Sequence, residues 1–375
     1  MFFLFSFFLA FLLPNGDNNQ AAVVTVVAKP ANIYIERSDA GQHLNFDFIL
    51  KNQSDEKLII NKVELSVYDE AGKLARREFY DEYGRNSLEL TATPKIEKQS
   101  QTIFYNPFHT FAADVPLKKL HYEFSFSSED RKRYFKTEID VAPLFYETKT
   151  DLILPVRGRV LIWDGHDYNS HHRRFDYTQE NFVKSGYKTN FQRYGYDFVI
   201  VDEQGLNYKG ERRVNDDWYQ ARPDKMEDYY SFGAPVYAAG AGRVAFVQDG
   251  KADDRKFNPA DLAADERAYA GNYIVIDHLN GEFSWFGHIK QGSSRVKVGQ
   301  TVKQGDVIAA IGAAGSSLFP HLHYELRNGG GAKEVEGLPS YFTNFKRLLG
   351  SRTVNVKKGQ VDTGDIVDWQ DSGKK

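Results

Sequence analysis

The sequence predicts an all-β protein in which an immunoglobulin-like β-sandwich precedes a second domain built on an antiparallel β-sheet. Short segments of alternating apolar and polar residues recur through residues 22–145, which is typical of strands with one buried face. Glycine marks turn-like positions between short apolar segments in residues 152–345. Phe, Tyr and Trp, which favour strands, make up 14% of the 375 residues. A signal-peptide-like segment at 1–21 and a polar tail at 346–375, to which no function is assigned, complete the predicted organisation.

Residues 2–13 form an apolar stretch with one serine and no charge, and the Pro-Asn-Gly-Asp sequence at 14–17 ends it. A membrane-spanning helix needs about 20 apolar residues, so this stretch is too short to span. It matches the apolar core of a secretory signal, although no basic residue precedes it and no clear cleavage site follows. A buried N-terminal strand or helix is the alternative. We predict export to the periplasm or cell envelope, with no stable membrane span.

Four alternating segments define the predicted sandwich. The positions that share one face are Leu44, Phe46, Phe48 and Leu50; Val63, Leu65 and Val67; Tyr122, Phe124 and Phe126; and Phe135, Thr137, Ile139 and Val141. The histidines of this region, His43, His109 and His121, are isolated in the sequence and form no catalytic combination of residue types. Pro143 and Pro155 flank the expected linker to the second domain.

The overall composition excludes several classes of protein and site. Lys and Arg total 48 against 51 Asp and Glu, which leaves a formal charge of -3 and no basic field that would bind nucleic acid. Hydrophobic residues make up 41% and charged residues 26% of the chain, a balance typical of folded globular domains. The chain has no cysteine, which excludes disulfides, cysteine-ligated zinc and cysteine nucleophiles.

The residue types that can perform chemistry concentrate in the second domain. Seven of the ten histidines lie between His166 and His323. Four stretches carry the candidate residues, at 166–172, 193–198, 285–289 and 320–326; the second contributes Asp197 and the other three contribute six of these histidines. In the last stretch, strand alternation places His321, His323 and Glu325 on one face. Histidine and aspartate without cysteine suit an open zinc site with three protein ligands and a water. The helical His-Glu-x-x-His arrangement is absent from the sequence.

The ordered combination of motifs from Gly233 to Leu326 resembles the lysostaphin-type (LytM-like) zinc metallopeptidases. The motifs that show the resemblance are GAPVYAA at 233–239, GRV at 242–244, GNYIVIDH at 271–278, WFGHI at 285–289, VGQTVKQGDVI at 298–308, SS at 316–317 and PHLH at 320–323. Each motif is weak alone, and their order makes the combination specific. The resemblance implies a zinc endopeptidase that hydrolyses peptide bonds of peptidoglycan cross-links with a metal-activated water.

The resemblance also implies roles for individual residues. It assigns Asp197 and His323 as zinc ligands, and His288 and His321 as the catalytic histidines that orient the water and move protons. In the usual form of the family, the remaining ligand is a histidine four residues before the aspartate. This chain has Arg193 there, and a guanidinium offers no lone pair.

A subgroup of the family has an upstream Asn-x-His motif followed by Gln-Arg-aromatic-x-x-Asp, and this chain is similar to it at 169–171 and 192–197. We therefore predict His171 as the third ligand, with His172 and then His166 as the alternatives. Arg193 is expected to pair with an acid such as Asp197 or to contact the substrate.

Two other functions are compatible with parts of the sequence. A degenerate site would make the chain a non-catalytic envelope module that binds cell wall or regulates other hydrolases. A lipoyl-like carrier would explain the glycine-spaced hairpin at 298–308, but not the set of histidines. We predict the zinc peptidase, with a peptidoglycan peptide as substrate and no nucleic-acid partner; the sequence does not predict an oligomeric state.

Overall fold

The computed structural model describes residues 23–38, 41–83, 95–210 and 223–369, and the regular secondary structure of these residues is nearly all β-strand, as predicted. The signal-peptide-like segment at 1–21 lies outside the described residues. None of the helices in the described part of the chain is long and apolar enough to cross a membrane.

Twelve strands form the described part of the N-terminal domain. They are β1 (Val24–Lys29), β2 (Tyr34–Ser38), β3 (Gly41–Leu44), β4 (Asp47–Asn52), β5 (Leu58–Tyr68), β6 (Leu74–Asp81), β7 (Lys95–Ile96), β8 (Gln101–Tyr105), β9 (Thr110–Phe111), β10 (Lys119–Ser128), β11 (Tyr134–Val141) and β12 (Leu144–Phe145). They pair in three sheets with the orders β1-β4-β8, β11-β10-β5-β6 and β12-β2-β3-β9, and β7 adds to β5. Only the pairing of β12 with β2 is parallel among the described strands of this domain.

The N-terminal sheets share one apolar core. The alternating positions predicted for β4, β5 and β10 are fully buried in it, including Phe48, Leu65 and Phe124. The antiparallel register places Leu65 opposite Tyr122, and the rings of Phe48 and Phe124 meet edge to face at 5.0 Å. Each such side chain stabilises the fold by about 2–3 kcal/mol through burial. The immunoglobulin-like topology itself stays a prediction.

The second domain contains one large sheet and few helices. Its strands are β13 (Val160–Asp164), β14 (Tyr196–Ile200), β15 (Pro235–Tyr237), β16 (Gly242–Gln248), β17 (Tyr273–Asp277), β18 (Phe283–Gly287), β19 (Thr301–Val302), β20 (Val307–Ala310), β21 (Leu322–Arg327), β22 (Gly337–Leu338), β23 (Phe342–Leu349), β24 (Arg352–Gly359) and β25 (Ile366–Trp369). Its helices are α1 (Glu180–Lys184) and 3₁₀ turns at Met226–Asp228, Pro259–Ala263 and Ala268–Ala270. The order β19-β16-β17-β18-β21-β14-β13-β25-β23-β24 places β18, β21 and β14 side by side in the sheet, while β22 adds to β21 and β15 pairs with β20.

The end of the chain differs from the predicted polar tail. Residues 346–369 continue the large sheet, with β25 paired between β13 and β23. Val361 and Val367 are fully buried, and Trp369 is nearly so. These apolar residues are widely spaced among Lys, Asp and Gly. The local composition is therefore polar, although the apolar side chains pack in the core. Residues 370–375 lie outside the described residues.

Candidate metal centre

The pairing of three strands brings four predicted site residues together. The register of β14 and β21 places Asp197 opposite His323, and that of β18 and β21 places Gly287 opposite the same histidine. His288 therefore emerges beside His323 immediately after β18, and His321 lies just before β21. Nδ1 of His323 lies 3.0 Å from Oδ1 of Asp197, and Nε2 of His321 lies 3.4 Å from the same oxygen.

A fourth histidine, His172, approaches Asp197 from the segment between β13 and β14. Its ring is fully buried, and its Nε2 atom lies 3.4 Å from Oδ1 of Asp197. His171, predicted as the third ligand, instead has 61% of its side chain exposed and places Nδ1 2.8 Å from Oδ2 of Asp164. The structure thus places the inward imidazole one residue later than the sequence motif predicted. The two residues lie in a turn, where successive side chains follow no strand or helix period.

His166, the remaining alternative, lines a different cavity. Its Nε2 atom lies 3.1 Å from Oε1 of Glu36 in the N-terminal domain, and both side chains are buried. Gln360 donates to the same carboxylate. His166 is therefore part of the contact between the domains.

Hydrogen bonds fix the orientation of each ring at the centre. Three rings bond through Nδ1 to a backbone carbonyl: His172 to Gly165 at 3.1 Å, His288 to Ala314 at 2.7 Å and His321 to Phe319 at 2.7 Å. A carbonyl oxygen only accepts, so Nδ1 bears the proton and Nε2 presents its lone pair. For these three rings, Nε2 is the nitrogen left to face the cleft.

His323 is oriented the other way round. Its Nε2 atom lies 2.5 Å from Oε1 of Glu325, so the proton on that nitrogen is donated to a carboxylate. The lone pair of Nδ1 then faces Asp197. All four rings consequently have one nitrogen engaged by a protein acceptor and the other directed into a common space.

The electrostatics of the site follow from burial and from the grouping of charges. Burial opposes ionisation of Asp197, but the charges of His321 and His172 hold the pKa of its carboxyl well below the ordinary value. Burial also opposes protonation of His172, but Asp197 raises the pKa of that ring well above its ordinary value. Burial and the rings of His321 and His323 hold the pKa of His288 well below the ordinary value.

These residues fit a divalent cation. Lone pairs of neutral imidazoles repel a carboxylate oxygen at 3.0–3.4 Å unless a proton or a metal ion lies between them. Imidazole nitrogen and carboxylate oxygen are ligands typical of zinc. Ligand atoms of Asp164, His171, His172 and Asp197 also lie within 4.8 Å of one another, so these four residues, one of them exposed, could hold a metal ion as well.

The centre opens into a cleft with a volume of about 140 Å³. All four inward histidines line it, together with Asp197, Gln192 and Tyr269. Two apolar side chains at its rim, Trp163 and Leu318, are 39% and 57% exposed. The cleft can therefore admit an extended chain against an apolar rim, with the polar groups beneath it.

Two carboxylates that support the histidines were given no role by sequence reasoning. Oδ2 of Asp164 lies 3.0 Å from Nδ1 of His172, and Glu325 bonds His323. Burial opposes ionisation of Glu325, but Arg327 lowers its pKa to about 2. Glu325 lies two residues after His323 on the same strand face, and this spacing could have predicted its contact with the histidine. The sequence around Asp164 contains no comparable pattern.

Arg193 pairs with acids, which is one of the two roles predicted for it, but its partners are Asp47 and Glu336 rather than Asp197. Its Nη1 atom lies 2.7 Å from Oδ2 of Asp47, and its Nε atom lies 3.5 Å from Oε2 of Glu336. The guanidinium is fully buried. It therefore belongs to the support of the site rather than to the cleft.

Comparison with known families identifies part of this domain. Residues 228–335 match the model of peptidase family M23. Residues 228–335 form an M23 peptidase domain. The matched residues include His288, His321 and His323, while His172 and Asp197 precede the match and lie beside these histidines in the structure.

Individual relatives match the M23 domain over a limited length. The chain is 37% identical over 94 residues to the peptidoglycan DD-endopeptidase ShyB of Vibrio cholerae serotype O1, which covers 25% of this chain and 18% of that protein. It is 33% identical over 115 residues to ShyC of the same organism, named a peptidoglycan DD-endopeptidase, covering 30% and 22%. The match therefore spans less than a quarter of these relatives. The catalytic domain of lysostaphin from Staphylococcus simulans is 21% identical, with 40% and 81% covered and a TM-score of 0.23, too low to support a conclusion.

Proposed function

We propose that the protein is a zinc-dependent endopeptidase that hydrolyses peptide bonds of peptidoglycan cross-links. The supporting observation is the convergence of four imidazole lone pairs and one carboxylate on a single open cleft. The M23 match and relatives named as peptidoglycan DD-endopeptidases support the choice of substrate.

His172, Asp197 and His323 would bind the zinc ion, with His172 replacing the predicted His171. The buried position of His172 and its approach to the shared carboxylate oxygen support this choice. When bound, zinc supplies Lewis-acid activation of water and of the scissile carbonyl. Asp164 and Glu325 keep the ligand rings in the tautomers that present a lone pair.

His288 and His321 act as the proton-handling groups. Their Nδ1 protons are donated to carbonyls, so Nε2 is free to accept a proton from water and to return it to the leaving amine. Their rings lie 4.8 Å apart, close enough to serve the same reacting group. When protonated, either ring can donate to the developing oxyanion.

The substrate implies a location. Peptidoglycan lies outside the cytoplasm, so the enzyme must reach the cell envelope, and the apolar stretch at 2–13 would serve as its export signal. N-terminal sequencing of envelope-associated protein would then find a start after about residue 14. Protein that keeps Met1 and remains in the cytosol would contradict export.

The proposed activity is tested on the full chain with two measurements. Metal analysis is expected to give about one zinc per chain, and digestion of defined cross-linked muropeptides is expected to release the uncrosslinked peptides. A chelator should stop cleavage, and added zinc should restore it. A purified protein that contains no zinc, or that contains zinc and cleaves no cross-link, would favour the non-catalytic envelope module instead.

A further inference from the structure

A buried ion-pair cluster joins the N-terminal domain to the segments around the metal centre. Asp47, the first residue of β4, is fully buried, and Arg173 places Nη1 2.8 Å from its Oδ2 atom. Arg193 contacts the same oxygen at 2.7 Å. Both guanidinium groups are fully buried. A single carboxylate of one domain thus binds two arginines of the other.

The two arginines lie on the chain segments that deliver site residues. Arg173 directly follows His172, and the side chain of Asn190 donates to the backbone carbonyls of both residues at 3.0 and 3.1 Å. Arg193 lies in the turn that leads into β14 and Asp197. Asp47 therefore links the segment of His172 to the approach to Asp197, two segments that are not paired in the sheet.

Asp47 is also the main countercharge for the arginines. Arg173 additionally donates to the carbonyl of Phe46 at 2.8 Å, a neutral partner. Glu336 is farther from Arg193, at 3.5 Å, and burial raises the pKa of Glu336 to about 7, so it is only partly charged at neutral pH. Loss of the Asp47 charge would leave two buried cations undercompensated, and the segments that contain them would shift.

We propose that Asp47 is a positioning residue of the metal centre, through which the N-terminal domain holds His172 in place relative to Asp197. This inference rests on the proposed zinc site and goes beyond it, since it assigns the N-terminal domain a part in building that site. Asp47 touches neither the cleft nor the ligands and acts through Arg173 and Arg193.

Asp47→Asn in the full chain tests the proposal, because the amide retains the shape and removes the charge. The zinc dissociation constant, measured by competition with a chromophoric chelator, is expected to rise about 10–100-fold, the range typical of lost outer-shell support. The visible absorption of the Co²⁺-substituted protein, which reports ligand number and geometry, is expected to change as well. A lower thermal midpoint alone would not produce that spectral change.

Asn52→Ala is the matched control. Asn52 is fully buried at the other end of β4, and the described bonds of its side chain stay within the N-terminal domain: it donates to the carbonyls of Glu56, Ile96 and Glu97 and accepts from the backbone N–H and the hydroxyl of Ser54. It should lower the thermal midpoint and leave the zinc constant and the cobalt spectrum unchanged. Equal effects of Asn52→Ala and Asp47→Asn on zinc affinity would overturn the proposal.

Two further outcomes are decisive. A folded Asp47→Asn protein with the zinc constant and cobalt spectrum of the parent would overturn the positioning role, while zinc binding by the parent without peptidase activity would overturn only the proposed reaction. If Asp47→Asn does not fold, Arg173→Lys retains the charge but loses the planar fork, and it is expected to raise the zinc constant at least about fivefold. An unchanged constant in that variant would overturn the proposal.

Discussion

Oε1 of Glu325 lies 2.5 Å from Nε2 of His323, while the other nitrogen of that ring faces Asp197 at 3.0 Å. Glu325 is in turn bonded by Arg327, whose guanidinium lies 3.7 Å from the centre of the Trp285 ring. A buried chain of contacts therefore fixes the ring of a proposed ligand from behind. Burial opposes protonation of His323, but its bonds to Asp197 and Glu325 raise its pKa above the ordinary value.

Glu325→Gln is expected to weaken zinc binding about 10–100-fold. The amide is a weaker acceptor than the carboxylate, and it leaves the positive charge of Arg327 without its partner. Chelator competition measures the change. Glu334→Gln is the control, since Glu334 is exposed and pairs only with exposed Lys188 among its described contacts; equal zinc affinity in both variants would contradict a supporting role for Glu325.

The positions on regular strands were the predictable part of the site. The family resemblance assigned Asp197, His288, His321 and His323, and these residues lie on, or directly beside, three neighbouring strands, whose register determines which side chains meet. The buried faces of β4, β5 and β10 were predictable from alternation alone. Because successive residues of a strand point to opposite faces of the sheet, an alternating sequence predicts which side chains are buried.

Features that depend on turns or on distant segments could not be predicted in this way. The orientations of His171 and His172 depend on a turn without a period, in which Asp164 contacts both rings and the neighbouring Arg173 pairs with Asp47 of a distant strand. The final strands were missed because β25 is completed by contacts with β13 and β23 rather than by its own composition.

His172→Ala is expected to abolish stoichiometric zinc binding, whereas His171→Ala should retain it. The ring of His172 is buried beside Asp197, and that of His171 is largely exposed and contacts Asp164. Metal analysis of both purified variants, with circular dichroism to show that each is folded, distinguishes the two residues. Loss of zinc in His171→Ala with retention in His172→Ala would restore the ligand that the sequence motif suggested.

His321→Ala is expected to retain zinc and to lose about 10²–10⁴-fold in turnover, which is the contribution of a positioned acid or base. His323→Ala should lose the metal itself. Nε2 of His321 lies 3.4 Å from Asp197 and Nδ1 of His323 lies 3.0 Å from it, so distance alone does not separate the two roles. Zinc content and turnover measured on the same samples separate the two roles. Equal loss of zinc in the His321→Ala and His323→Ala variants would make His321 a ligand.

His109→Phe is expected to reduce the loss of stability in acid. His109 stacks on Tyr168 at 4.5 Å, and burial, assisted by the charge of Arg173, lowers its pKa from 6.5 to about 4. As the pH falls from about 6.5 to about 4, the unfolded chain binds a proton that the folded chain does not, and stability is lost over that interval. This loss amounts to about 2–3 kcal/mol.

Phenylalanine retains the stacking but cannot titrate. Any other effect of the substitution on the free energy of unfolding is therefore the same at both pH values. Denaturant unfolding of both proteins at pH 7 and at about pH 4 measures the difference. Parallel losses in the parent and the variant would show that His109 does not contribute to the acid sensitivity.

Gly271→Ala is expected to damage the peptidase by displacing His288. Gly271 has φ +65°, and a Cβ atom there would lie 2.3 Å from the carbonyl carbon of Ala314 and 2.4 Å from the nitrogen of Gly315. The carbonyl of Ala314 accepts the Nδ1 proton of His288, and the carbonyl of Ala270 accepts from its backbone nitrogen at 3.0 Å. The added methyl group would push the loop of Gly271 away from the loop of Ala314. This movement displaces both carbonyls that hold His288.

Gly292→Ala is a close control for this effect. Gly292 has φ +66°, and no described atom lies within 4 Å of its added Cβ, so this variant reports the conformational cost alone, about 1–2 kcal/mol. Gly271→Ala should destabilise more than this and lower turnover at least about tenfold while zinc is retained, because His288 is not a proposed ligand. Thermal unfolding and turnover on cross-linked muropeptides measure the two effects. Matching values for the two variants would mean that the close approach of Gly271 and Gly315 does not position His288.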